Sequence, residues 1–407
     1  MQKDTTTLTF ISREWKFLLF GALVMFWTSP GQTYFISLFA DEMRSDFNLS
    51  HVELGSLYTF ATLTSASILW PTGHLVDRLP LAKFVWWICA AMALSTATVA
   101  LVSGPATLFL GVLVVRFLGQ GMMSHITVTA MARRYVSERG RAIAIAGLGF
   151  PIAEGILPPL ITIGLTLFHW QTIWVAMSFA VALTLLPTIP FLLKRTANQD
   201  GEGAKRFARH RTSRKHWTRA EMLRDPRFFM IAPIVMTMSA IFTGLIFHQK
   251  FIIGTAKDWD FLWWSFCFAS FAACQVTGSF LSGWLVDHIS ARRITPYVLL
   301  PFGVSLALLG WSDNELWGLV ILSTMGLSAG ATNPVFSSLW VELYGTKHLG
   351  AIRAAGAVLS VFASALGPVI IGWALDEGVS ILALTSVSIL ITTASSTLSA
   401  VALRKEC

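Results

Sequence analysis

Charge is scarce in this chain. Of its 407 residues, 13% are Asp, Glu, Lys or Arg and 54% are hydrophobic, where soluble domains carry about 25% charged residues. That balance excludes an ordinary soluble enzyme. Cysteine is equally thin: Cys89, Cys267, Cys274 and Cys407 form no CxxC and no Cys/His ligand spacing, and three of them lie inside apolar runs. Neither a disulfide nor a metal is expected. Walker loops, GxGxxG, HExxH and GxSxG are also missing, so the expectation is no enzyme, no cofactor and no ATP-driven pumping by this polypeptide. Any work it does must draw on a gradient. Nor is a cleavable signal peptide expected, because the first sixteen residues are polar and the first apolar run, 17–40, exceeds a signal-peptide core.

Long apolar runs fill the rest. They fall at 17–40, 52–76, 84–103, 106–131, 142–167, 170–193, 229–254, 261–286, 294–311, 315–343, 351–375 and 379–403. Each is long enough to cross a hydrocarbon layer of about 30 Å as a helix. Strands of a membrane barrel would be about 9–11 residues long and strictly alternating, so the spacing predicts an all-α membrane protein of twelve spans. The net charge of +8 does not indicate a nucleic-acid partner, since the basic residues sit in the loops between runs. With the N-terminus in the cytoplasm, 25 of the 30 lysines and arginines fall in cytoplasmic segments, Arg44, Lys250 and Lys257 fall outside, and Arg116 and Arg353 remain in the membrane. Both termini are therefore expected in the cytoplasm of a multi-pass protein of the plasma or inner membrane.

One long basic loop, 194–227, divides six spans from six, giving an N-terminal half at 1–193 and a C-terminal half at 228–407. Within it, Thr218 and Glu221 have capping-box spacing, so a short surface helix through Glu221 to Arg224 is expected. The halves repeat. Gly73-His-Leu-Val-Asp77-Arg78 recurs as Gly283-Trp-Leu-Val-Asp287-His288, and Ala142-Ile143, Gly147 and Pro159 recur as Ala351-Ile352, Gly356 and Pro368. Two independent matches at nearly one offset indicate a duplication, and parallel six-span repeats place a substrate site near mid-membrane.

These residues resemble the major facilitator superfamily over essentially the whole chain. The family loop motif reads Gly-x-x-x-Asp-Arg-x-Gly-Arg-Arg; Gly73, Asp77 and Arg78 match it, Pro80 stands at the later Gly, and Lys83 is the basic residue that follows. Gly283, Asp287, Arg292 and Arg293 form the second copy. The resemblance implies a gating latch in which Asp77 pairs with basic residues, Arg133 and Arg134 being the partners at hand. Arg116-Phe-Leu-Gly119-Gln120-Gly121 resembles the family's fourth-span motif. Pro30-Gly31-Gln32, Arg116, Arg139-Gly140-Arg141-Ala142 and His248-Gln249 together look most like the monocarboxylate and oxalate/formate branch. The resemblance implies a monomeric secondary transporter with a small organic anion, a proton and the bilayer as partners.

Ionisable residues inside a membrane are costly, about 2.5–3.5 kcal/mol on insertion scales, and so carry information. Arg116 in span 4 and Glu154 in span 5 differ in depth by roughly 5 Å at 1.5 Å per residue. Arg116 is expected to hold a substrate carboxylate through its planar fork, and Glu154 to take up and release the coupled proton. The alternative is a fixed ion pair bracing two helices. His248 is a second candidate proton site or, with Gln249, a substrate contact; the alternative is a histidine satisfied by a neighbouring carbonyl. Gln32 and Tyr34 follow the Pro30-Gly31 break and Asn333 precedes Pro334, so each is a candidate substrate contact beside a broken helix, with Gln120 and Gln275 mid-span. Lys250 is expected to snorkel, His125 to be structural, and Trp263 and Trp264 to join an interface belt. The reading is a proton-coupled symporter of a small organic anion, with a proton-coupled exporter of amphipathic compounds as its rival, favoured by the Gly147-Leu-Gly149-Phe-Pro151 stretch. A sensor that binds without translocating is the rival from another class.

Overall fold

The computed structural model describes residues 7–135, 138–194, 217–345 and 347–404, the Asp77 side chain excepted. The basic stretch 195–216 and Cys407 lie outside the described residues. Among the described residues every regular element is helical. In lipid only a helix or a closed barrel satisfies its own backbone.

Spans 3 to 6 run over Leu81–Val99, Pro105–Arg134, Arg139–Leu167 and Trp170–Leu193. Spans 7 to 12 run over Pro226–Phe247, Phe261–Ile289, Ala291–Trp311, Glu315–Tyr344, Leu349–Asp376 and Ile381–Arg404. These ten are long and apolar enough to cross a membrane. Spans 1 and 2, at Thr7–Phe26 and His51–Thr72, are helical too. The first carries Arg13, Glu14 and Lys16 in its opening turns, and the second is rich in Ser and Thr, which explains their lower apolarity.

Three expected spans are interrupted. The run 17–40 is a helix to Phe26, a tight turn at Ser29–Gly31 and a new helix from Thr33, because Pro30 has no N–H to donate and clashes with the preceding turn. The run 229–254 stops at Phe247 and resumes as widened turns over Phe251–Ala256. Span 4 widens over Phe117–Met123. The short surface helix occupies Arg219–Met222, two residues earlier than its expected place, because Thr218 is the cap: its hydroxyl accepts from Glu221 N at 3.3 Å, and the Glu221 carboxylate accepts from Thr218 N at 2.7 Å.

Packing groups the chain into two compact units. One comprises Met1–Ile36, Thr64–Ala153 and Gly164–His210; the other comprises Ser37–Leu63, Glu154–Ile163 and Arg211–Cys407. Long apolar side chains such as Leu183 (72% exposed) and Leu390 (69%) point away from the protein, as lipid-facing residues do. With lipid as apolar as leucine, helices associate through close packing, and small residues at the seam permit it. In the first unit spans 3 and 6 add side-chain hydrogen bonds, Trp86 Nε1 to the Leu186 carbonyl at 3.2 Å and Ser178 Oγ to the Ala93 carbonyl at 2.6 Å.

Spans 8 and 10 of the second unit approach each other closely. A Cβ at Gly330 would lie 1.9 Å from the Gln275 carbonyl oxygen, and one at Gly326 would lie 2.3 Å from that of Phe271. Overpacking costs about 1–3 kcal/mol where neighbours can yield, and a backbone carbonyl yields poorly. Gly330→Val is therefore expected to lower the melting midpoint of the detergent-purified protein by at least that equivalent. Gly303→Val, where a Cβ meets nothing within 4 Å, should leave it unchanged.

Candidate functional site

In the first unit, candidate residues gather where two helices break at one level. Span 1 turns at Ser29–Gly31 with Gln32 extended (φ −94°, ψ 152°), and span 4 is widened beside it. A Cβ at Gly31 would sit 2.2 Å from the Val115 carbonyl oxygen, and one at Gly119 would sit 2.6 Å from the Thr28 carbonyl oxygen. Only glycine permits this approach, and it brings Arg116 across to the break. Arg116 is 1% exposed. Its Nη1 donates to the Gly31 carbonyl at 3.2 Å, and its Nη2 donates to the Gln120 side-chain oxygen. Gln32 Nε2 reaches Thr28 Oγ1 at 3.5 Å, and Tyr34 donates its hydroxyl to Ser29 Oγ at 2.7 Å while its ring meets Phe150 edge-on. Arg116, Gln120, Gln32 and Tyr34 thus surround one break.

Glu154 belongs to the second unit. It is 4% exposed, bonds through its carboxyl to the Gln275 side chain, and keeps a buried oxygen, Oε2, without a hydrogen-bond partner among the described residues. Its neighbour Gly155 brings span 5 against span 8: a Cβ there would touch Ala269 Cα and Ala272 Cβ at 3.4 Å.

His248 and Gln249 lie elsewhere in that unit, in a seam between residues 37–63 and spans 7, 8 and 11. The His248 Nε2 atom is 2.8 Å from the Pro368 carbonyl oxygen, and its ring stands 5.4 Å from that of His51. Gln249 donates to Ser37 Oγ at 2.9 Å and accepts from Trp264 Nε1 at 2.8 Å. Trp264 is accordingly buried at 3% exposure rather than part of an interface belt, because its N–H is held by Gln249. Lys250 pairs with Glu42 instead of simply snorkelling. Asp376, at the end of span 11, accepts from His51 N at 3.0 Å and Val52 N at 2.7 Å, capping span 2. The sequence reading missed Asp376, whose partners lie more than three hundred residues away in sequence; the Ser50-x-x-Glu53 capping box beside them is the one local signal.

Asn333 lines a separate cavity of about 450 Å³ between spans 7, 10 and 11, with Ser239, Ser337, Trp340, Arg353 and Ser360 among its walls.

The loop motifs are held by different means in the two repeats. In the first, Gly73 presents its carbonyl to the His125 ring nitrogen at 3.1 Å, and Arg133 Nη1 donates to the Val76 carbonyl at 3.3 Å. Arg134, expected beside Asp77, bonds Glu14 at 3.2 Å, and Tyr135 donates to the same carboxylate at 3.0 Å. The Asp77 partnership lies outside the described atoms, and Arg78 is exposed. In the second repeat Glu342 accepts from Ser290 Oγ at 2.7 Å and from the backbone of Ala291 at 2.8 Å and Arg292 at 3.2 Å, while the Arg292 guanidinium returns to the Glu342 carbonyl at 3.0 Å. Gly283 is half-buried, and Asp287 and Arg293 are exposed. Glu342 was not foreseen; its only signal is an acid at the end of an apolar run.

The profile of the Major Facilitator Superfamily matches residues 17–402. No curated protein matches the chain in sequence. Among solved structures, a bacterial homolog to the human lysosomal transporter Spinster, inward-facing and unoccupied, superposes with a TM-score of 0.70 at 16% identity, over 95% of this chain and 96% of that one. The occupied form of a bacterial Spinster homolog gives 0.70 at 15% identity, over 97% and 96%. A mutant of the nucleoside transporter NupG gives 0.71 at 14% identity, over 96% and 100%. At these identities the likeness concerns the fold alone.

The Glu14 network yields a stability prediction. Its carboxylate takes bonds from both Arg134 and Tyr135, and removing one partner of a partly buried charge pair leaves the other uncompensated. Glu14→Gln should therefore melt earlier than the parent at neutral pH, read by intrinsic tryptophan fluorescence.

Proposed function

Because the chain belongs to the major facilitator superfamily and is a membrane transporter of twelve helices in two repeats, we propose that it is a secondary active symporter. It moves a small organic anion, of the monocarboxylate class, with a proton by alternating access. The observation that carries this reading is Arg116: a guanidinium at 1% exposure, aimed by two glycine-permitted helix breaks and touching neutral oxygens of Gly31 and Gln120. Such a group offers a carboxylate a bidentate partner where water is excluded. Gln120, Gln32 and Tyr34 surround it and supply hydrogen bonds to the remaining substrate oxygens.

Glu154 is the proton site. Its unpartnered Oε2 accommodates a proton without breaking the bond to Gln275. A carboxylate that travels with one proton moves no net charge, which spares it the potential term of about 2.3 kcal/mol per 100 mV for an anion alone. Each half, 1–193 and 228–407, rocks in alternation, with 194–227 as the linker between them. Asp77 and Asp287, with Gly73, Arg78, Gly283, Arg292 and Arg293, latch the inner loops. His248 and Gln249, engaged with Pro368, Ser37 and Trp264, serve substrate and proton when that seam parts, and Asn333 contacts substrate on the second-half side. The protein acts as a monomer in the plasma or inner membrane with both termini in the cytoplasm.

Thermal stability of the detergent-purified protein against panels of carboxylates and lipophilic cations tests this. A ligand at about 100 times its Kd stabilises by about 2.7 kcal/mol. Stabilisation by a carboxylate, greater in mild acid and lost in Arg116→Ala and in Glu154→Gln, is the expected result. Stabilisation by cations only, lost in Glu154→Gln and kept in Arg116→Ala, would make the protein an exporter instead.

A further inference from the structure

We infer that the groove between spans 9 and 12 is a binding site for an anionic phospholipid, with one acyl chain lying in the groove and the headgroup at its Arg293 and Arg404 end. The two helices meet at one level and part at another. A Cβ at Gly310 would lie 2.2 Å from Thr385 Oγ1, whereas one at Gly303, two turns back on the same face, meets nothing within 4 Å. The splayed part encloses about 450 Å³, bounded by Pro296 to Ala307 on span 9 and by Ile389 to Ala400 on span 12. Leu300 and Val304 on its rim are exposed, so the groove opens towards lipid.

Its dimensions select a chain. From first to last residue each wall rises about 16 Å at 1.5 Å per residue, close to half of a hydrocarbon layer about 30 Å thick. An acyl chain of one leaflet therefore lies along it from end to end. A helix of a second copy, about 10 Å across, would need roughly 1,200 Å³ over that length, so the groove is too small to seat one. The lining is apolar despite its hydroxyls. Thr392 Oγ1 donates to the Ser388 carbonyl at 2.7 Å and Thr397 Oγ1 to the Thr393 carbonyl at 2.8 Å, which satisfies both within span 12.

Charge lies at one end only. No Asp, Glu, Lys or Arg lines the groove, but about one turn beyond it stand Arg293, four residues before Tyr297, and Arg404, four residues after Ala400. Both arginines and Tyr297 are exposed. For a lipid phosphate that exposure is the requirement, because headgroups lie at the water boundary, where basic side chains attract anionic lipids. No residue of the groove belongs to the site around Arg116, so the inference stands or falls without the anion-carrier reading.

Native mass spectrometry of the detergent-purified full chain, titrated with dioleoyl phosphatidylglycerol or dioleoyl phosphatidylcholine, tests it. The anionic lipid should bind at least five-fold more tightly. Arg404→Gln should weaken it about five-fold, the equivalent of about 1 kcal/mol for one basic residue near a membrane surface, and leave phosphatidylcholine unchanged, while Arg404→Lys keeps the preference. Gly303→Phe and Thr393→Phe, which fill the groove from opposite walls, should each cost at least ten-fold for phosphatidylglycerol while melting with the parent in lipid-free detergent. Equal affinity for the two lipids, full affinity in Arg404→Gln, or full affinity in whichever groove-filling variant melts with the parent each overturns the inference. A dimer that those variants dissociate would also overturn it, making this face a contact between copies.

Discussion

A hydrocarbon layer offers no hydrogen bonds, so a transmembrane helix can be broken only where protein covers the exposed backbone. The candidate site depends on that constraint. Span 1 breaks at Ser29–Gly31 because span 4 lies against it closely enough for the Arg116 guanidinium to take the freed Gly31 carbonyl. The contact works in both directions. The break gives Arg116 an oxygen to bond, and Arg116 gives the break a donor. Gly31 and Gly119 are the condition for both, since a side chain on either would push the two backbones apart.

Repeat symmetry and packing divide the molecule differently. The motifs after spans 2 and 8 descend from one sequence pattern, yet the first is held by arginine and histidine from span 4 and the second by Glu342 from span 10. Duplication supplied two similar loops, and each half then found a different polar partner for the same turn. Residues 37–63 and 154–163, meanwhile, pack with the second half. Gln249, His248 and Asp376 belong to that seam, where they bond Ser37, the Pro368 carbonyl and the start of span 2.

Much of the fold was legible in advance because lipid makes long apolar runs obligatory, and their lengths gave twelve helices. The break at Pro30-Gly31 was legible for a local reason, the chemistry of proline. Arg116, Gln120, Gln32 and Tyr34 stood out because polar groups are costly at that depth, but their convergence on one break depends on which faces of spans 1 and 4 meet, and no local pattern encodes that. Trp264 shows the same limit: an indole at a span end reads as an interface anchor until a Gln249 oxygen, fifteen residues away, is found to hold its N–H. Glu342 and Asp376 were invisible for a related reason. Acids at span ends look like ordinary loop residues, and only the three-dimensional path shows that each binds backbone amides of another element.

The capping of span 2 by Asp376 sets an order of events in biosynthesis. His51 and the carboxylate that receives its N–H are 325 residues apart, so the start of span 2 enters the membrane long before its final cap has been translated. Until then the amides there have only the Ser50–Glu53 box and water. The start of span 2 and the middle of span 5 must therefore wait as unfinished surface while the ribosome makes the second half, and a chain stalled before span 11 would present that surface to chaperones and membrane proteases.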